Sequence, residues 1–217
     1  MNTTRLFLAR HGQVVNHHEL RFNGHFDVDI TEKGVEQMEN LAAFMKVHHI
    51  NAIYSSDLLR AHRGADLIAK RLGRLINKKF AEFRELNFGL WDGLTMGEVQ
   101  DSYPEEAHNK FQDLSHYRIK GGGENLVDLS NRVFPRLNDL LDLHRGKCIL
   151  IVAHGGVNRV ILCRTMGIPL EHFFKIEQDF GCLNIIDYFH GSDGKDFGIV
   201  KMINGGPNQE MKPPKIY

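Results

Sequence analysis

Short apolar runs alternate along the chain with longer segments in which apolar residues recur every three or four positions. Five short runs are typical of β-strands, at 5–9, 52–55, 148–153, 183–189 and 197–203. The periodic segments predict four helices, at 31–49, 58–72, 125–144 and 157–166. Thr31 precedes the first periodic segment and has the side chain of an N-cap.

Strands that alternate with helices predict an α/β fold, in which a mostly parallel sheet is the middle layer of a three-layer α/β/α sandwich. Residues 1–203 are expected to form a single domain. Residues 204–217 contain three of the six prolines and no amphipathic pattern, so they are predicted to form an extended C-terminal tail.

Basic side chains follow three of the predicted strands where each strand ends. Arg10 and His11 come directly after the first strand, Arg60 follows the second, and His154 and Gly155 follow the third. The carboxyl ends of parallel strands share one edge of the sheet, where ligands bind in such folds. Arginine beside histidine favours an anion over a divalent cation, because a guanidinium binds two phosphate oxygens at once. The sequence therefore predicts a phosphate site, and no metal or cofactor.

These residue types also suggest a reaction. A neutral imidazole is a nucleophile toward phosphorus, and Arg10 and Arg60 would lower the pKa of His11 and keep it neutral. The same arginines, with His154, would stabilise charge on a transferring phosphoryl group. A leaving alkoxide needs a proton donor. Partial burial raises the pKa of a carboxyl group, which suits it to this role. Glu85, beside aromatic residues in the segment 84–93, is the best candidate.

The same residues form an ordered set of motifs. RHGQ at 10–13, with Asn16, resembles the RHGxTxxN signature of the histidine phosphatase superfamily, the phosphoglycerate mutase-like proteins. Further segments resemble the family's other motifs in order: the stretch that contains Gly24, SDLLRA at 56–61, ELNFGLWDG at 85–93, GGE at 122–124 and VAHGG at 152–156.

The resemblance implies a phosphoglycerate mutase-like fold with a small helical lid inserted at about 94–123. It makes His11 the phosphohistidine nucleophile and Glu85 the proton donor. The remaining positions would bind phosphate or substrate: Arg10, Arg60, His154, Asn16, Gln13, Gly24 and Gly155. Val14 departs from the family pattern, as do Asp29-Ile30 and Gly64. These differences are expected to alter the rate or the substrate preference rather than to abolish the reaction.

The resemblance favours a metal-independent phosphomonoesterase that acts on a small phosphorylated metabolite, closest in pattern to the α-ribazole phosphatase and broad-specificity branch. Cofactor-dependent phosphoglycerate mutase activity is the alternative, although the insert lacks a pair of adjacent arginines. A third interpretation is an inactive relative that binds a phosphorylated ligand. The leaving group is expected to meet side chains of the insert: Met96, Tyr103, Phe111, His116, Tyr117 and Arg118.

Composition limits the partners. The 217 residues carry 27 Lys+Arg and 27 Asp+Glu, a zero net charge that argues against a nucleic-acid binder. The three cysteines lie in or beside apolar runs, and no segment resembles a membrane span or signal peptide, so a cytoplasmic protein is expected. The late strands offer an edge for a homodimer. Of the 13 histidines, His17, His18 and His25 are predicted to be exposed loop residues, and those outside the site to pack or lie on the surface.

Overall fold

A six-stranded sheet forms the centre of the computed structural model, which describes residues 3–19, 21–113, 115–191 and 196–206, apart from the side chain of Phe111. The strands are, in chain order, β1 Thr3–Arg10, β2 Ala52–Ser56, β3 Lys78–Phe80, β4 Cys148–Ala153, β5 Leu183–His190 and β6 Asp196–Gly205. Their order across the sheet is β3-β2-β4-β1-β5-β6.

The first four strands in this order are parallel, whereas β5 is antiparallel to β1 and β6 is antiparallel to β5. The prediction of a mostly parallel sheet in an α/β fold is therefore confirmed. Because β1, β2 and β4 run in the same direction, their carboxyl ends lie at one edge, where the sequence places the basic residues.

Helices cover both faces of the sheet, as the three-layer prediction requires. The four long helices are α1 Glu32–Met45, α2 Leu59–Arg71, α5 Leu126–Leu143 and α6 Gly155–Met166. Side chains of a strand alternate between faces, so Phe7 of β1 packs with α1 and α2 while Leu6 and Leu8 pack with α5 and α6. Two buried cores result, one on each side of the sheet.

The observed helix ends refine the predicted ones. Thr31 is the N-cap of α1, and its hydroxyl accepts a hydrogen bond from the Gly34 N–H. This helix ends at Met45 rather than near position 49, and Lys46, Val47 and His49 beyond it are exposed. α6 begins at Gly155, two residues earlier than predicted and immediately after His154.

Two short helices, α3 Met96–Ser102 and α4 Pro104–Gln112, lie in the segment predicted as a helical insert. They cover a small third core beneath the insert, in which Trp91, Val99, Ala107 and Ile119 are buried. This core places the insert beside the carboxyl edge of the sheet, because Phe22 and Phe88 pack against it and also line the cavity described below.

The predicted C-terminal tail starts too early. Asn204 and Gly205 still belong to β6, where Gly205 pairs with Leu183. Residues 207–217 of that tail lie outside the described residues. In the described part of the chain, no helix combines the length and the apolar character needed to cross a bilayer.

Candidate active site

The carboxyl edge of the sheet holds a cavity of about 450 Å³. Arg10, His11, Arg60 and Glu85 all line it. His154 lies behind this wall, fully buried, with its ring centroid 5.2 Å from that of His11. The structure thus brings together the five side chains for which the sequence predicts catalytic roles.

The hydrogen bond of His11 fixes which ring nitrogen is free. Nδ1 lies 2.8 Å from the Gly12 carbonyl oxygen, which can only accept, so Nδ1 carries the proton. In the neutral ring, Nε2 then keeps its lone pair. A histidine held in this tautomer at the wall of a cavity is suited to nucleophilic attack.

Both site histidines are held neutral. Burial lowers the pKa of His11 well below its usual value, and the nearby Arg10 and Arg60 guanidinium groups lower it further. Burial also lowers the pKa of His154, with Arg60 as the next cause. The sequence indicates the arginines as the cause of the lowered His11 pKa, whereas burial is the larger cause.

These lowered pKa values predict a loss of stability in mild acid. Unfolding returns each imidazole to a pKa near 6.5, so below that pH the unfolded chain binds protons that the native state does not. The free energy of unfolding should therefore fall between pH 7 and 5.5, by about 1 kcal/mol for each of the two histidines. Urea denaturation at both pH values measures the loss. His11→Ala should show about 1 kcal/mol less of it, while the exposed-residue variant His18→Ala should match the wild type; equal losses in all three proteins would contradict the assignment.

Arg60 is buried and held by the backbone of the loop before α1. Its Nη2 donates to the Gly24 carbonyl oxygen at 2.6 Å, and its Nη1 donates to that of Phe26 at 3.1 Å. Burial lowers the pKa of Arg60 to about 10, so the guanidinium stays charged at neutral pH. Gly24 has a φ of +35°, and a Cβ at this position would clash with Asp92. Gly24 thus belongs to the site through its carbonyl oxygen, which holds Arg60.

Arg10 is held by a segment that no sequence motif indicated. Its Nη1 donates to the Gln178 carbonyl oxygen at 2.5 Å, and its guanidinium carbon lies 4.1 Å from the centroid of the Phe180 ring. The Gln178 side chain is buried and bonded to the amides of Asn158 and Asn184, which fixes the loop between α6 and β5. Carbonyl and ring contacts of this kind leave no recognisable spacing in a sequence.

Glu85 is fixed at both its side chain and its backbone. Its carboxylate accepts hydrogen bonds from the Gly156 N–H at 3.0 Å and the Leu86 N–H at 2.9 Å. The Gly156 N–H lies in the first turn of α6, so this helix end binds the Glu85 carboxylate. The Glu85 carbonyl oxygen accepts from Arg132 Nη2 at 3.2 Å and from His25 Nε2 at 3.0 Å.

The prediction that His25 is an exposed loop residue is therefore wrong. Its ring is half-buried against the Glu85 backbone, and burial lowers its pKa. His17 and His18 are exposed, as predicted, and His17 lines the mouth of the cavity. The loop is brought inward by Asp92, whose carboxylate accepts from the N–H groups of His25 and Phe88 and whose pKa burial raises to about 6.

The other predicted phosphate-binding positions fall in different places. Asn16 lines the cavity and is bonded to Asn23 through both side-chain amides. Gln13 is turned away, because its side-chain oxygen accepts from the Thr31 hydroxyl at the start of α1. Gly155 is buried next to Arg10, and a Cβ there would lie 3.6 Å from Arg10 Nε.

Three buried polar atoms of the site have no protein partner within the described residues. They are Nε of Arg10 and both ring nitrogens of His154, of which only one carries a proton in the neutral ring. Buried polar groups are normally hydrogen-bonded, so each exception calls for an explanation, of which a catalytic role is one. The Arg10 and Arg60 guanidinium groups line the cavity, and donors of this kind match the oxygens of a phosphoryl group.

A possible metal-binding group lies elsewhere. Among the described residues, Asp142, His190 and Asp196 place potential ligand atoms within 4.8 Å of one another. This group is at the opposite end of the sheet, because His190 ends β5 beside the start of β1. It therefore takes no part in the cavity that holds His11.

The chain is similar in sequence and in fold to several known proteins. The sequence profile of the histidine phosphatase superfamily (branch 1) matches residues 6–196. Phosphoglycerate mutase-like protein 4 of Arabidopsis thaliana is 34% identical over 161 residues, which cover 74% of this chain and 70% of that protein. Phosphoserine phosphatase 1 of Hydrogenobacter thermophilus is 29% identical over 180 residues, 83% of this chain and 82% of its own length. The crystal structure of the α-ribazole phosphatase from Shigella flexneri matches with a TM-score of 0.82 at 26% identity, over 93% of this chain and 96% of that one.

Proposed function

Because the chain belongs to the histidine phosphatase superfamily, branch 1, we propose that it is a metal-independent phosphomonoesterase that hydrolyses a small phosphorylated metabolite. One observation carries the proposal. The bond from His11 Nδ1 to the Gly12 carbonyl oxygen leaves Nε2 as the free nitrogen of a residue that shares a cavity with Arg10, Arg60 and Glu85.

The first step transfers the phosphoryl group to the enzyme. The Nε2 lone pair attacks phosphorus, and an N–P bond forms as the bond to the leaving oxygen breaks. Protonated Glu85 gives its proton to that oxygen, so the product leaves as a neutral alcohol. Arg10, Arg60 and an N–H of His154 bind the equatorial oxygens, on which charge is spread during transfer. Asn16 adds a contact to the same group.

The second step restores the enzyme. A water molecule attacks the phosphohistidine while the Glu85 carboxylate takes its proton, and the N–P bond breaks to release inorganic phosphate. Glu85 is protonated again and His11 is neutral, so both residues are ready for another cycle. The bonds from Gly156 and Leu86 hold the carboxylate in place for both proton transfers.

Mutase activity is less well supported by the insert. A mutase must retain a substrate that carries a carboxylate as well as phosphate, which calls for cations at the cavity. Arg118 instead forms a two-bond ion pair with Asp128, at 2.5 and 2.6 Å, on the exposed surface. Lys110 donates to the Tyr117 carbonyl oxygen within the insert, and it lines a smaller cavity beside Glu85 rather than the cavity that holds His11.

Phosphate release from p-nitrophenyl phosphate in EDTA tests the proposal. We expect turnover that EDTA does not reduce and that His11→Ala abolishes. Incubation with mono- and bisphosphoglycerates should yield inorganic phosphate. Transfer between positions without phosphate release would support the mutase instead, and no His11-dependent turnover between pH 5 and 8 would support an inactive binding protein.

A further inference from the structure

A second, smaller cavity of about 110 Å³ lies on the other side of Glu85. Its wall is mainly apolar and includes the side chains of Phe22, Phe88, Trp91, Leu126, Phe173 and Phe174. Two cationic residues, Lys110 and Arg159, also line it. Glu85, Phe22 and Phe88 line both this cavity and the larger one that contains His11. The two cavities therefore adjoin at the carboxylate, and this smaller one is called the aromatic cavity below.

The reaction geometry says which part of a substrate reaches the aromatic cavity. In an in-line displacement the leaving oxygen lies opposite the attacking His11 nitrogen. A proton donor must lie within hydrogen-bond reach of that oxygen, which puts the oxygen at the Glu85 carboxylate. The group attached to the oxygen must then continue past Glu85, toward the rings of Phe22 and Phe88.

We propose that the leaving alcohol carries a compact apolar ring, which binds in the aromatic cavity. This inference rests on the proposed phosphatase function and names the class of its substrate. An apolar cavity of about 150 Å³ in another protein binds benzene, so a single ring is the right scale. Aromatic walls favour a ring over an aliphatic chain, because edge-to-face and offset contacts add to simple burial.

Arg159 holds part of the wall of the aromatic cavity in position. The Nε of Arg159 donates to the Ile176 carbonyl oxygen at 2.7 Å, and the guanidinium carbon lies 5.5 Å and 5.7 Å from the ring centroids of Phe173 and Phe174. Phe174 is 62% exposed, so it stands at the outer rim. A ring with a substituent that points to solvent would therefore also fit.

The insert side chains predicted to contact the leaving group do not form this wall. Met96 lines the larger cavity, but His116 is exposed beside Asp113, and Arg118 is exposed beside Asp128. Tyr103 packs against the core beneath the insert, and the side chain of Phe111 lies outside the described residues. The ring contacts come instead from segments before and after the insert.

Benzyl phosphate and ethyl phosphate test the substrate class. Both release a primary alcohol, so they differ mainly in the ring rather than in leaving-group chemistry. Burial of a phenyl ring predicts a kcat/KM for benzyl phosphate about 10- to 100-fold above that for ethyl phosphate. A ratio near one would overturn the inference, and a preference for a hexyl over a benzyl ester would assign the cavity to an aliphatic chain instead.

A pair of aromatic truncations localises the effect. Phe174→Ala should lower the benzyl-to-ethyl ratio several-fold. Phe197→Ala is the matched control, because Phe197 is similarly exposed at 56% and lies on β6, away from both cavities. The control should keep the wild-type ratio. An unchanged ratio in Phe174→Ala would place ring recognition elsewhere and contradict the proposal.

Binding of inert analogues separates this inference from the proposed function. Calorimetry with benzylphosphonate and ethylphosphonate needs no turnover. Tighter binding of benzylphosphonate by about tenfold or more, in a protein that hydrolyses neither ester, would support the cavity and refute the phosphatase. Equal affinities in a protein that hydrolyses both esters would do the reverse.

Discussion

Replacement of His11 by alanine should lower kcat for phosphate release by about 10⁴-fold or more. The residue supplies the attacking atom, and removal of a nucleophile from a covalent mechanism costs about as much as removal of the whole catalytic set. The wild-type protein, quenched during turnover of a ³²P-labelled ester, should carry label in an N–P bond that is lost in acid and stable in base. His11→Ala should carry none.

A histidine from the neighbouring loop provides the control for this experiment. His18 is exposed and does not line the cavity, so His18→Ala should keep wild-type turnover and labelling. Labelling that survives in His11→Ala would move the nucleophile to another residue. His154 is the first candidate to examine in that case, because its ring lies next to that of His11.

The side chains that the sequence located are those that follow strands. Arg10 is the last residue of β1, His11 follows it, and His154 directly follows β4. Arg60 lies in the first turn of α2, after β2. The carboxyl ends of these strands meet because the strands are parallel, so strand prediction alone brings the four residues together. Glu85 follows no long strand, and it was placed by its motif and by its aromatic neighbours.

The supporting contacts could not be predicted in this way. The Gln178 and Gly24 carbonyl oxygens hold the two arginines, and any residue carries a carbonyl oxygen. Gln13 illustrates the opposite error, because its position within the RHG motif suggested a phosphate contact while its side chain binds Thr31. A motif fixes the backbone path, and the direction of each side chain depends on tertiary packing.

The residues that form the walls of the two cavities could not be predicted from the sequence either. Phe22, Phe88 and Phe173 come from three segments that are distant in sequence, and each alone is an ordinary apolar residue. The insert mixes apolar and basic residues, which predicts contact with the leaving group. Arg118 is instead paired with Asp128 on the surface, whereas Met96 lines the larger cavity and Lys110 the aromatic cavity, so composition alone does not show which side chains face a cavity.

Glu85→Gln should have a second large effect, and its size should depend on the leaving group. An alkyl phosphate must receive a proton as its alcohol departs, so loss of the acid should lower kcat for such an ester by about 10²- to 10⁴-fold. The p-nitrophenolate ion departs without a proton, so the first step with p-nitrophenyl phosphate should be much less affected. The second step still needs a base for its water molecule, whichever ester formed the phosphohistidine.

The variant should therefore accumulate the phosphohistidine when p-nitrophenyl phosphate is the substrate. Stopped-flow absorbance should show a burst of p-nitrophenolate, about one per active site, followed by slow turnover. Glu39→Gln, which alters an exposed carboxylate on α1, should behave like the wild type. Equal slowing of alkyl and p-nitrophenyl esters with no burst would mean that Glu85 positions the substrate, since only a proton-transfer role separates the two leaving groups and the two steps.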